Sequence, residues 1–102
     1  MNEPAPIYLG SFPPIYRGDI DAQFISIASE LGTGETVLTA EVTAKDATGN
    51  TVAGVISAKT ITTGKVDFLI TAPTIEGVYT IWAVLTTSAG EKKTRFADLI
   101  VT

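Results

Sequence analysis

The chain is 102 residues long, has a formal net charge of −4 and contains neither cysteine nor histidine. That composition excludes disulfides, thiolate chemistry and Cys-based metal sites, and it removes the usual imidazole base and proton switch. The acidic balance opposes a nucleic-acid or anionic-membrane surface, and the apolar runs are far too short to span a bilayer as a helix. The first residues lack a basic n-region and an apolar h-region, so the expectation is a protein made in a cytoplasm and not exported by the Sec route. No catalytic residue, metal site, cofactor site or small-molecule substrate is readable in the chain.

Residues 1–16 read as an extended arm. Pro4, Pro6, Pro13 and Pro14 block helix and central strand. Ile7, Tyr8, Leu9, Phe12, Ile15 and Tyr16 are too apolar for a solvated linker. Such a segment gains order by lying on a surface, either its own domain, under Trp82, or a neighbouring subunit. If the arm is an anchor, deleting residues 1–15 leaves a folded domain that no longer joins its partner.

From residue 17 the chain reads as strands. Asp19–Ala28 is the first, with Ile20, Ala22 and Phe24 on one face before the pattern shifts to Ile25 and Ile27, which suggests a bulge. After a Gly-containing loop, Val37–Lys45 alternates cleanly, with Leu38, Ala40, Val42 and Ala44 inward. Asp46 to Asn50 is a turn. Short strands follow at Val52–Ala58 and Thr60–Thr62, then Val66–Thr71 with Val66, Phe68 and Ile70 inward. A corner at Pro73 leads into a long hairpin, Gly77 to Thr102. Its first arm is apolar on both faces: Tyr79, Ile81, Ala83 and Leu85 on one, Val78, Trp82 and Val84 on the other. A strand of that kind is covered on both sides. About seven short strands without any helical period predict an antiparallel β-sandwich. Tyr79, placed just after Pro73–Gly77, fits a tyrosine corner as well as it fits a plain core aromatic.

Several candidate sites weigh differently against ordinary structure. Arg17-Gly18-Asp19 spells an integrin-type tripeptide, but Gly18 is better read as a turn. Asp46, Thr48 and Asn50 alternate like calcium ligands, yet only Asp46 is anionic and no distal Glu follows. The close acidic pairs Asp19/Asp21 and Glu30/Glu35 read as solvated strand ends, not as a glycosidase pair. Lys92, Lys93 and Arg95 read as a solubilising edge or as partners for an acidic neighbour. Trp82 has three readings: core, protein interface, or sugar platform.

Tyr16-Arg17-Gly18-Asp19, Leu31-Gly32-Thr33-Gly34-Glu35-Thr36-Val37-Leu38-Thr39-Ala40, and the close Gly-Val-Tyr-Thr-Ile to Leu-Ile-Val resemble small structural proteins of tailed-bacteriophage virions. They also resemble the immunoglobulin-like N-terminal domain of phage baseplate and tail-fibre proteins. The resemblance covers residues 16–102. It implies an immunoglobulin-like sandwich and a place in a virion at head, neck or tail, and it carries no catalytic residue. The expectation is therefore an all-β, immunoglobulin-like domain at 17–102 with an arm at 1–16. It would bind other virion proteins, or further copies of itself, through Ile7, Tyr8, Phe12, Ile15, Tyr16, Val78, Trp82 and Val84. The rival reading is a receptor- or glycan-binding module centred on Trp82.

Overall fold

The computed structural model describes residues 6–102, so the first five residues of the predicted arm, Pro4 among them, lie outside the described residues. Seven strands form two sheets: β1 (Ile7–Ser11), β2 (Ile20–Ser26), β3 (Val37–Lys45), β4 (Ile56–Thr62), β5 (Lys65–Thr71), β6 (Gly77–Thr87) and β7 (Lys92–Val101). One sheet has the order β1-β7-β6-β3 and the other β2-β5-β4. All pairings are antiparallel except β1 with β7.

The alternation of β3, β5, β6 and β7 builds the core. Val42 and Ala44, Tyr79 to Leu85 at every second position, and Leu99 and Val101 face across to Ile25, Ile27, Val66, Phe68 and Ile70. Inner faces of this kind interdigitate in a layer roughly 10 Å thick. Tyr79 donates its hydroxyl to the Ile75 carbonyl at 2.7 Å, which makes the tyrosine corner. Lys59 on β4 donates to the Ala40 carbonyl on β3 at 3.0 Å, tying the two sheets together along their open side.

The structure corrects four expectations. The arm is not separate from the domain: β1 pairs in parallel with β7, and the chain beyond it stays hydrogen-bonded to β7 through Phe12, Ile15 and Arg17. It lies beside β7 and not beneath Trp82. Second, β2 has no bulge, because its register with β5 is unbroken from Ile20 to Ser26. Gln23, Ile25 and Ile27 turn inward, so Ile20 and Phe24 point outward and are exposed. Third, the two short strands predicted at 52–58 and 60–62 are largely one strand, β4, with a register break at Ala58. The arm restores the count to seven. Fourth, Leu38 is exposed, because the β3–β6 register shifts between Val37 and Thr39 and Val37 takes the buried position instead. At the Thr63–Gly64 turn, Gly64 has φ +70°, and a Cβ there would sit 2.7 Å from Cβ of Ala28. That close approach and left-handed backbone require glycine.

Candidate protein-docking face

The residues of interest meet on the outer face of the four-stranded sheet. Register places Thr43, Trp82, Phe96 and Tyr8 in one row across β3, β6, β7 and β1. Side chains at matched positions on neighbouring strands stand side by side, and here they stack. Trp82 and Phe96 have ring centroids 5.1 Å apart and planes 24° apart, and Phe96 and Tyr8 follow at 5.4 Å and 43°. Lys45 Nζ lies 4.8 Å from the centroid of Trp82. At the far end the Tyr8 hydroxyl donates to Asp98 Oδ2 at 2.8 Å. A cation, three aromatic rings and a carboxylate thus run across all four strands. Val78 and Ile100, paired with each other on β6 and β7, extend the apolar surface and are both exposed.

Of the eight residues singled out from the sequence, four share this face: Tyr8, Val78, Trp82 and Val84. Ile15 is withdrawn, since it is 3% exposed and belongs to the core. Phe12 packs edge-on against Phe68 with centroids 6.3 Å apart, which also makes it a structural residue. Ile7 precedes Tyr8 on β1 and points to the opposite side of the sheet. Tyr16 is exposed elsewhere, under the Arg17 guanidinium. Phe96 is the residue that sequence reasoning under-used. Its apolar alternation was visible, but nothing local reveals that β7 is registered to set it against Trp82.

The stack bears on the sugar reading of Trp82. A sugar platform needs an open aromatic face, and Phe96 and Lys45 flank the indole. Trp82 itself is half-buried between them.

The other candidate sites resolve into ordinary structure. Gly18, at φ +83°, turns the chain, and its N–H is held by the Ala72 carbonyl. Asp46 Oδ1 accepts from the Thr48 N–H, the Thr48 hydroxyl and the Asn50 N–H, an Asx turn whose carboxylate is already engaged. Those bonds, that of the Thr48 hydroxyl foremost, hold the Asp46 carboxyl below its ordinary value. Glu30 and Glu35 are not solvated strand ends. Glu30 pairs with Arg95, which is buried on the inner face of β7. Glu35 Oε1 accepts from the Gly32 N–H at 2.8 Å. Its Oε2 is enclosed near the Thr87 hydroxyl without a hydrogen bond of good geometry. Neither acidic pair faces across a cleft. Among the described residues, no group of three or more Asp or Glu is placed to hold a metal ion, and no helix is long and apolar enough to cross a membrane.

The Gly32 N–H, with help from Thr87, holds the Glu35 carboxyl below its ordinary value of 4.5. A carboxyl depressed in the folded state stabilises the fold above the unfolded value, and that contribution is lost as pH falls through the folded value. Stability is therefore expected to decline below about pH 4.5, partly through Glu35. Glu35→Gln should flatten that part of the acid limb in urea titrations run from pH 6 to pH 2. An acid limb identical to wild type removes Glu35 from the account.

No protein-family model matches the chain, and no curated protein matches its sequence. Solved structures do resemble it. Titin M4 in its trigonal form is 20% identical, with TM-score 0.54, over 94% of this chain and 91% of that one. The fold is immunoglobulin-like. The titin Z1Z2 pair, solved in complex with telethonin, matches all of this chain with 50% of its own length, at 22% identity and TM-score 0.53. The twitchin kinase region from C. elegans matches 91% of this chain with 15% of its own length, at 17% identity and TM-score 0.52. Identities this low speak for the sandwich alone.

Proposed function

We propose that this protein is a non-enzymatic structural component of a phage virion, a head-decoration, neck or tail subunit. In this reading it docks a protein partner through the outer face of its four-stranded sheet. The observation that carries the docking is the face itself. Tyr8, Phe96, Trp82 and Val84 are half-buried or exposed there, and Val78 and Ile100 lie open beside them. Aromatic anchors in an apolar patch rimmed by charge are the usual centre of a protein interface. The virion setting rests on the phage-like motifs between Tyr16 and Val101. The non-enzymatic reading is supported by Asp46 and Glu35, whose carboxylates are taken up in turns, and by Glu30, which pairs with Arg95. The titin Z1Z2 domains, similar in fold, were solved in complex with another protein, telethonin.

The test uses the open positions, which can change without disturbing the stack. Particles assembled with the doubly substituted Val78→Asp, Ile100→Asp protein should carry it at less than about a tenth of the wild-type copy number. Circular dichroism should show the isolated variant still folded. Wild-type incorporation of that variant would sink the reading.

A further inference from the structure

The pattern of charge on the docking face names its partner. We infer that this face binds a second copy of the chain, with the two-fold axis running along β6; the inference rests on the docking reading above. Outward positions form rows across β3, β6 and β7: Thr39–Thr86–Lys92, Glu41–Val84–Thr94, Thr43–Trp82–Phe96 and Lys45–Thr80–Asp98. The middle column, Val78, Thr80, Trp82, Val84 and Thr86, holds no charge. The flanking columns hold charges in opposite order. β3 runs Glu41 then Lys45, negative to positive; β7 read in the same direction runs Lys92, one row beyond Glu41, then Asp98 in the row of Lys45, positive to negative.

An isologous dimer places each surface against its own copy. A two-fold axis lying between the faces and along β6 keeps the rows aligned and exchanges β3 with β7. Lys45 then faces Asp98 of the partner copy, and Asp98 faces its Lys45. Glu41 lies one row from the partner's Lys92. Val78, Trp82 and Val84 meet themselves on the axis. No like charges are opposed anywhere on the three strands. Within one chain Lys45 and Asp98 stand two strands apart, about 10 Å, too far to pair directly. The Tyr8 bond to Asp98 uses Oδ2, and Oδ1 makes no hydrogen bond among the described residues. Two such faces stack with strands nearly aligned, within about 30°. Three strands wide and some nine residues long, the overlap covers about 450 Å² on each copy, the low end of specific interfaces. The dimer is accordingly weak and concentration-dependent.

The experiment is sedimentation equilibrium of the full chain from about 10 μM to about 1 mM, the micromolar-to-millimolar span of weak association. Wild type should shift from monomer to dimer. Lys45→Glu sets a carboxylate against Asp98 at both contacts, and Asp98→Lys sets an ammonium against Lys45 at both, so each variant alone should dimerise at least about tenfold more weakly. An equimolar mixture of the two variants restores opposite charges and should dimerise like wild type. Recovery on mixing cannot come from a purely internal role of either residue. In wild type, a zero-length carbodiimide should join Lys45 to Asp98 between isotopically distinct copies, a readout that survives even if a variant folds poorly. A wild-type monomer throughout the range overturns the dimer, and the docking reading then stands or falls by Val78 and Ile100 in particles. Single variants that dimerise like wild type, a mixture that does not recover, or crosslinks confined to another surface such as Phe24 and Ile20 overturn the assigned face.

Discussion

Removing residues 1–15 should unfold the domain, or leave it so unstable that its urea midpoint approaches zero. The expectation drawn from the sequence is the opposite, a detachable anchor on a self-sufficient sandwich. The structure makes the arm an edge strand and part of the core lid. Phe12 and Ile15 donate backbone bonds to Asp98 and Ile100, and Thr102 donates to Ile15. Their loss opens the whole outer edge of β7. Ile15 is fully enclosed in the main cluster, and Phe12 covers Phe68. Truncating a buried Ile costs about 2–5 kcal/mol and a buried Phe about 3–5 kcal/mol. A domain of this size has only about 5–15 kcal/mol in total. Ile15→Ala alone should lower the melting temperature by roughly 8–40 °C, at about 4–8 °C per kcal/mol. If the truncated chain melts within a few degrees of wild type, the arm is an appendage and the packing argument fails.

The arm also shows where sequence reasoning reaches its limit. Its prolines excluded a central strand correctly, but a parallel edge strand needs few donors and tolerates Pro on either side. Strands with a polar outer face were legible from alternation, as in β5 and in β3 beyond Leu38. On β2 the rule misled. Ile20, Ala22 and Phe24 form the more apolar of its two faces, yet that face is exposed, and the inward set is Gln23, Ile25 and Ile27. Apolar periodicity gives the phase of a strand and does not say which phase is buried. Trp82 could be placed opposite Tyr79 and Ile81 from sequence. Its stack on Phe96 could not, because that depends on the β6–β7 register across a turn. The same dependence on register hid the alternating charges that suggest a second copy.

The buried ion pair was the least legible feature and gives the second large effect. Glu30 and Arg95 are 65 residues apart, and by sequence each reads as a solvated charge on a different element. In the structure the Arg95 side chain is 4% exposed, held between the Thr94 carbonyl and the Glu30 carboxylate, whereas that of Glu30 is 36% exposed. The two partners are therefore not equivalent. Glu30→Ala leaves a guanidinium enclosed with one neutral acceptor and should destabilise by about 2–4 kcal/mol, somewhat below the cost for a fully enclosed pair because Glu30 sits at the rim. Arg95→Met removes the charge, keeps most of the packing volume, and leaves Glu30 free to turn into water. It should cost about 1 kcal/mol or less, because a hydrophobic residue of similar volume often replaces a buried ion without loss. Adding Arg95→Met to Glu30→Ala should then recover most of the stability lost by Glu30→Ala alone. Urea unfolding of the three variants measures this directly. A Glu30→Ala cost no larger than that of Arg95→Met would mean water or backbone already satisfies the guanidinium. Arg95 would then be a space-filling residue whose charge is incidental.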